Sequence, residues 1–312
     1  MSTFEAIDPA DSDAAAAPAL PAAAAHPPVL RTLIRREFWE HRALWIAPLA
    51  VAAFVLVVAI IGKVSFDWNL AALPEQRRAV FGVIMAYAVV PQYITLGIIM
   101  WMYAADCLYT ERKDRSILFW KSMPVSDTLT VLSKLLVVMV IVPLGVYLVS
   151  AVTTLLMSGI YLVRAWQDHA GGAFWDGGAW LRIQGTSLLA VVAAVLWYAP
   201  ITAFLLLISA WARRSVQLWV LLPPAILILM EPIALGTNHV RDVVLYRLGA
   251  VFAHAGPPGF GDAAGQRPTL NLLFVNVDPL PLFGNADLWL GVGVAALLIV
   301  ATIRIRQYRD DT

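Results

Sequence analysis

Residues 43–61 read ALWIAPLAVAAFVLVVAII, without one charged side chain. Held as an α-helix at 1.5 Å per residue, the run covers about 28 Å, close to the hydrocarbon thickness of a bilayer. It has no polar face to turn toward water, so lipid is the solvent it suits. Working outward, five further stretches repeat the pattern: 79–105, 135–163, 186–211, 216–235 and 288–303. The predicted fold class is an all-α membrane protein with six transmembrane helices. Pro48, Pro91, Pro143, Pro200, Pro223 and Pro224 lie inside these runs. They predict kinks rather than breaks, because neighbouring helices and Ser or Thr side chains can take up the freed carbonyls.

The whole composition agrees. Of 312 residues, 60% are hydrophobic and 14% charged, against roughly 25% charged in a soluble domain, and the mean hydropathy is +0.74. The formal charge of +1 leaves no basic excess to hold a polyanion, so nucleic acid is not an expected partner. Cys107 is the one cysteine in the sequence, which excludes an intramolecular disulfide and a multi-cysteine metal cluster.

The chain divides into two parts. Residues 1–28, with alanine tracts, prolines and the acids Glu5, Asp8, Asp11 and Asp13, are expected to form a disordered cytoplasmic tail. They lack the basic start and apolar run of a signal peptide. Residues 29–312 form the six-span domain. It begins with VLRTLIRREFWEHRAL, residues 29–44, in which Leu30, Ile34 and Phe38 recur at helical spacing while Arg31, Arg35 and Arg42 fall elsewhere around the helix. That pattern predicts an amphipathic helix in the membrane interface, its basic groups open to anionic lipid or a partner.

Lys and Arg set the orientation. Fourteen of the 22 share one side, among them Arg31, Arg35, Arg36, Arg112, Lys113, Arg115, Lys121, Lys134, Arg213, Arg214, Arg304 and Arg306. The positive-inside rule then puts both termini in the cytoplasm; the expected location is the plasma (inner) membrane, multi-pass. No internal repeat supports an inverted-repeat transporter.

The connection after the second span, DCLYTERKDRSILFWKSMPVSDTLTVLSK (106–134), carries most of the information. A charged cluster gives way to Ile117, Leu118, Phe119 and Trp120, followed by Lys121 and a break at Pro124. The pattern predicts a short helix from about Asp114 to Ser122, with Asp114 able to cap it, and a new helix capped by Ser126 or Asp127. An amphipathic linker tucked against lipid has the same composition. The stretch ERKDRSILFWKSMPVSDTLTVLSKLL resembles the first cytoplasmic loop of ABC-2 type transporter permeases, and LIRREFWEHRALWIAPL resembles their N-terminal elbow helix.

That resemblance implies a membrane-spanning permease subunit of an ABC transporter, with export as the expected direction. Its N-terminal elbow helix would lie in the interface, and a cytoplasmic coupling helix would lie between spans 2 and 3. It implies pairing as a homodimer or a paralogous heterodimer, translocation at the dimer interface, and a cytoplasmic ABC ATP-binding subunit. ATP and Mg would sit on that subunit, with no cofactor on this chain. Glu111, Asp114, Arg115, Phe119, Trp120, Lys121 and Pro124 would form the ATPase-coupling contact, with Arg35, Arg36 and Glu37 of the elbow beside it. The sequence contains no phosphate-binding loop of the G-x-x-x-x-G-K-[ST] type, and Gly62-Lys63-Val64-Ser65 lacks its spacing.

Other chemistries have little to build on. The histidines His26, His41, His169, His239 and His254 show no zinc-binding spacing, and Asp168, His169 and Asp176 lack a nucleophile elbow. No metal and no enzymatic activity are expected. Glu231 is the one acid inside a predicted span, and reads either as a pathway residue or as an interfacial carboxylate. Gln92, Tyr93 and Thr153 could line a pathway or simply bond neighbouring helices. Ion-coupled secondary transport and an intramembrane enzyme are the alternative functions.

Overall fold

A computed structural model describes residues 29–62, 74–114, 126–167, 177–254 and 280–308. The described residues are helical, with connecting turns and no strand. The elements are α1 (Val29–Glu40), α2 (Ala43–Ile61), α3 (Pro74–Lys113), α4 (Asp127–Gln167), α5 (Gly177–Trp211), α6 (Val216–Leu235), α7 (His239–His254), α8 (Leu280–Gly284) and α9 (Ala286–Tyr308). Six of them, α2, α3, α4, α5, α6 and α9, are long and apolar enough to cross a membrane. This bears out the expected all-helical chain with six helices of membrane-spanning length.

Several boundaries differ from the sequence reading. The stretch 29–44 is two helices, separated at His41 and Arg42. α3 and α4 continue well past their apolar runs, because charged residues at the ends of a helix do not stop it without a cap or a proline. α4 starts where expected: the Ser126 hydroxyl accepts the Leu129 amide at 3.2 Å, and Asp127 occupies the first turn. Within α4, Val137–Ile141 forms a π-helical turn just before Pro143. Pro143 has no amide for the carbonyl four residues back, and a wider turn relieves that conflict. Asp114 closes α3, its amide bonding Thr110 O. The expected tail (1–28), the short helix beyond Asp114 and the residues Arg115, Phe119, Trp120, Lys121 and Pro124 lie outside the described residues. So do Asp168, His169 and Asp176.

α5 is central, packing along α3 on one side and α9 on the other, while α2 closes against α3 and α4. Small residues make these approaches close: Ala104, Ala105, Ala193, Ala199, Ala203 and Ala210 are buried. In lipid, where burying apolar surface between helices gains little, such small-residue contacts and interhelical hydrogen bonds supply the association. Arg112 ties α3 to the C-terminus of α5, donating to Ser209 O at 2.6 Å and Ala212 O at 2.8 Å. At the far end Arg164 of α4 closes α2 by donating to Ile60 O and Gly62 O. Both cations meet helix C-termini, where carbonyls lack amide partners and the dipole is negative.

α6 behaves differently. Of its residues only Val216 and Val220 are buried, both near its start. There Gln217 accepts the Trp101 indole N–H at 3.3 Å and Trp219 packs edge-on to Trp211. Ser215, just before it, takes a left-handed conformation with φ of 46°.

Candidate functional site

Four elements converge on one buried charge cluster, and each supplies its charge from a helix end. α1 brings Glu37, α3 brings Glu111 in its last turn, α4 brings Lys134 and Asp127, and α9 brings Arg306. Lys134 is fully buried, with Nζ at 2.7 Å from Glu37 Oε1 and 3.1 Å from Glu111 Oε1. Arg306 spans two partners, Nη1 to Glu111 Oε2 at 2.8 Å and Nε to Asp127 Oδ1 at 2.9 Å. Arg36 adds a longer contact to Glu111 at 3.4 Å and a shorter one to Glu40 at 2.6 Å. Tyr103 donates its hydroxyl to Glu37 Oε2 at 2.8 Å. The carboxylates Glu37, Glu111 and Asp127 therefore face the cations Arg36, Lys134 and Arg306 in near balance. That balance is what allows ionised groups to stay buried.

The cluster has a definite mechanical form. Glu111 and Asp127 stand on either side of the undescribed stretch 115–125, and Arg306 grips both. Lys134 then links Glu111 to α1 through Glu37. The first helix and the last turn of α9 are thus held at the same end of the bundle.

Sequence reasoning named Glu111, Arg36 and Glu37 as charges of a docking surface. The structure turns Glu111 and Glu37 inward, with side-chain exposures of 3% and 2%, while Arg35 and Asp114 remain exposed. Arg35 rests over the Trp39 ring at 5.5 Å. In the sequence alone Arg306 is one more cation of the Lys/Arg-rich side and Asp127 a candidate helix cap. The signal that could have linked them is an acid or base in the first or last turn of several spans, since opposite charges at one membrane depth pair readily.

His41, between α1 and α2, borders the cluster. It lies edge-on to Tyr103 with ring centroids 5.0 Å apart, and its Nε2 is 3.9 Å from Glu37. Burial lowers its pKa below the ordinary 6.5; Glu37, Glu40 and Asp106 pull it upward and Lys134 downward, and the net direction is down. The unfolded chain therefore binds the proton more readily than the folded one. His41's contribution to stability is full above about pH 6.5 and is lost as pH falls through the depressed value. Acidification from neutral pH is expected to lower the melting temperature more in the wild type than in His41→Gln. An equal or smaller drop in the wild type would refute this role. Glu37, Glu40 and His41 also bring ligand atoms within 4.8 Å of one another, but Lys134 and Tyr103 already occupy both Glu37 oxygens.

The expected pathway residues lie elsewhere. Gln92 is fully buried in α3, its Nε2 donating to Ala88 O at 3.2 Å. Among the described residues its Oε1 meets no hydrogen-bond partner, while the neighbouring Tyr93 hydroxyl faces Ser150. Thr153 bonds back to Val149 O. Its neighbour Thr154 receives the Trp180 indole N–H and the Gln184 amide, at 3.2 and 3.0 Å, forming a polar seam between α4 and α5. Gln92 and Thr153 are buried inside a single chain rather than on an outer face. Glu231 accepts from the Thr237 hydroxyl and the His239 and Val240 amides at 2.7–2.8 Å. Its carboxylate caps the start of α7, an anionic group at a helix N-terminus.

Compared with protein families, with characterised proteins and with solved structures, the chain matches none.

Proposed function

We propose that the chain is the membrane-spanning permease subunit of an ABC-2 type ABC transporter. It would export substrate, as a homodimer or with a paralogous permease, using ATP and Mg bound by a separate cytoplasmic subunit. Both termini would be cytoplasmic, in the plasma (inner) membrane. The observation that carries this reading is the charge joint around Arg306. A segment that receives force from a moving ATPase needs rigid roots, and Glu111 and Asp127, at the two roots of 115–125, are both held by Arg306. Through Lys134 and Glu37 the same joint reaches α1. Motion at the segment would therefore pass to α9 and α1 together.

Phe119 and Trp120 would be the apolar wedge entering the partner, since large aromatic anchors carry a disproportionate share of binding energy. Co-expression with a tagged cassette ATPase from the neighbouring genes tests this. Replacing both aromatics by alanine is expected to abolish co-purification and the stimulation of ATP hydrolysis. If both persist, the contact is misassigned. Ion-coupled secondary transport is the second reading, resting on the buried Gln92, whose Oε1 has no partner among the described residues. Flux that continues without ATP and collapses with the ion gradient would select it.

A further inference from the structure

At the end of the bundle opposite the charge joint, α7 lies against α5 and the start of α9. Two aromatic donors of α5 fix it: the Trp197 indole N–H to Arg247 O at 2.8 Å, and the Tyr198 hydroxyl to Leu248 O at 3.0 Å. Tyr246 donates to Asp287 Oδ2 at 2.9 Å. These contacts set Arg247 between Trp197 and α9, with its guanidinium 4.5 Å from the indole centroid. Gly291 makes room for it, since a Cβ there would collide with Nη2 of Arg247.

The guanidinium is well placed and poorly satisfied. Of its five N–H donors, the described protein takes one: Nη2 donates to Asp287 O at 3.1 Å. Nη1 is buried and has no hydrogen-bond partner among the described residues. Among the described residues no carboxylate pairs with Arg247; the nearby Asp287 side chain is engaged by Tyr246. A cation left so is a site for an anion.

Depth and surroundings indicate which anion. Asp287 and Arg306 stand on one helix, separated by about 28 Å at 1.5 Å per residue, close to one hydrocarbon thickness. With Arg306 at one membrane interface, Arg247 is at the headgroup level of the other. The surface around it is apolar: Val243, Leu245 and Leu248 on α7, and Trp289 and Leu290 on α9, are exposed. We propose that Arg247, seated between Trp197 and Gly291, binds the phosphate of a phospholipid headgroup in that leaflet. The exposed apolar side chains lie against the acyl chains. A planar guanidinium matches phosphate with two parallel hydrogen bonds, which a lysine cannot reproduce; with Nη1 sealed inside the protein, the edge left for the phosphate is Nε and Nη2.

Thermal melting of the full chain in detergent tests the site with three additions: phosphatidylglycerol, diacylglycerol of the same chains, and inorganic phosphate. Phosphatidylglycerol is expected to raise the melting temperature of the wild type, and the other two to leave it unchanged. Arg247→Gln is expected to weaken phosphatidylglycerol binding on the order of tenfold. Arg241→Gln removes an exposed arginine paired with Asp242 and is expected to keep the full response. If Arg247→Gln does not fold, Gly291→Ala takes its place, displacing the guanidinium while keeping its charge, with the same loss expected. A diacylglycerol response equal to that of phosphatidylglycerol would overturn the proposal in favour of acyl packing. An equal response to inorganic phosphate would overturn it in favour of a free-anion site, and an undiminished response in the variants would overturn it outright.

Discussion

Lys134→Met is expected to be the most damaging single substitution in the described chain, costing about 3–5 kcal/mol. The size follows from what stays behind. Methionine fills a similar volume but carries no charge, so Glu37 keeps only the Tyr103 hydroxyl and the more distant His41. Glu111 is less exposed to the loss, since Arg306 and Arg36 remain beside it. A carboxylate stranded in the bundle costs more than the ion pair had contributed, because its desolvation is no longer offset. Against a total stability of about 5–15 kcal/mol, such a loss lowers both the melting temperature and the yield from membranes. Glu37→Gln, added to Lys134→Met, removes the stranded charge and is expected to recover part of the loss. A Lys134→Met protein that melts like the wild type would show that the ammonium carries no such burden.

Arg306→Leu is expected to follow, at about 2–3 kcal/mol, smaller because Glu111 retains Lys134 and Asp127 is partly hydrated. Its second effect is local. Asp127 loses its ion pair to α9, leaving the Ser126 cap and packing to hold the first turn of α4, and amide exchange at Leu129 and Thr130 is expected to rise. Amide exchange separates such local opening from global unfolding, since only the former appears under fully native conditions. Exchange that stays at the wild-type rate would mean that Arg306 does not hold this end of α4.

The spans could be read from the sequence because the bilayer imposes a length and a composition that single segments carry within themselves. Val216–Leu235 matches its apolar run to the residue, and Ser126 caps as its hydroxyl and position suggest. The charge joint could not be read so. Glu111 and Arg306 are 195 residues apart, and nothing local to either says that the other lies opposite. The direction in which a helix-end charge points is set by how the helices rotate against one another, so Glu37 and Glu111 were legible as charges but not as buried ones. Glu231 shows the same limit at shorter range. Its capping role depends on the chain turning back at Gly236, which has φ of 67°, and bringing the His239 and Val240 amides to it.

α6 is fastened near both ends and bare between them. At its start it holds Trp101 and Trp211 through Gln217 and Trp219; at its finish Glu231 grips α7. Between these fixings Leu221, Leu222, Ile226, Leu227 and Met230 are exposed. The helix is in effect a beam pinned at two supports with its midspan unloaded by the protein. Bowing or rolling that midspan would separate little of the described chain from itself. Among the six spans it is the one least enclosed by the rest of the described chain, so a change in its shape would disturb the charge joint and the α3–α5–α9 interior least.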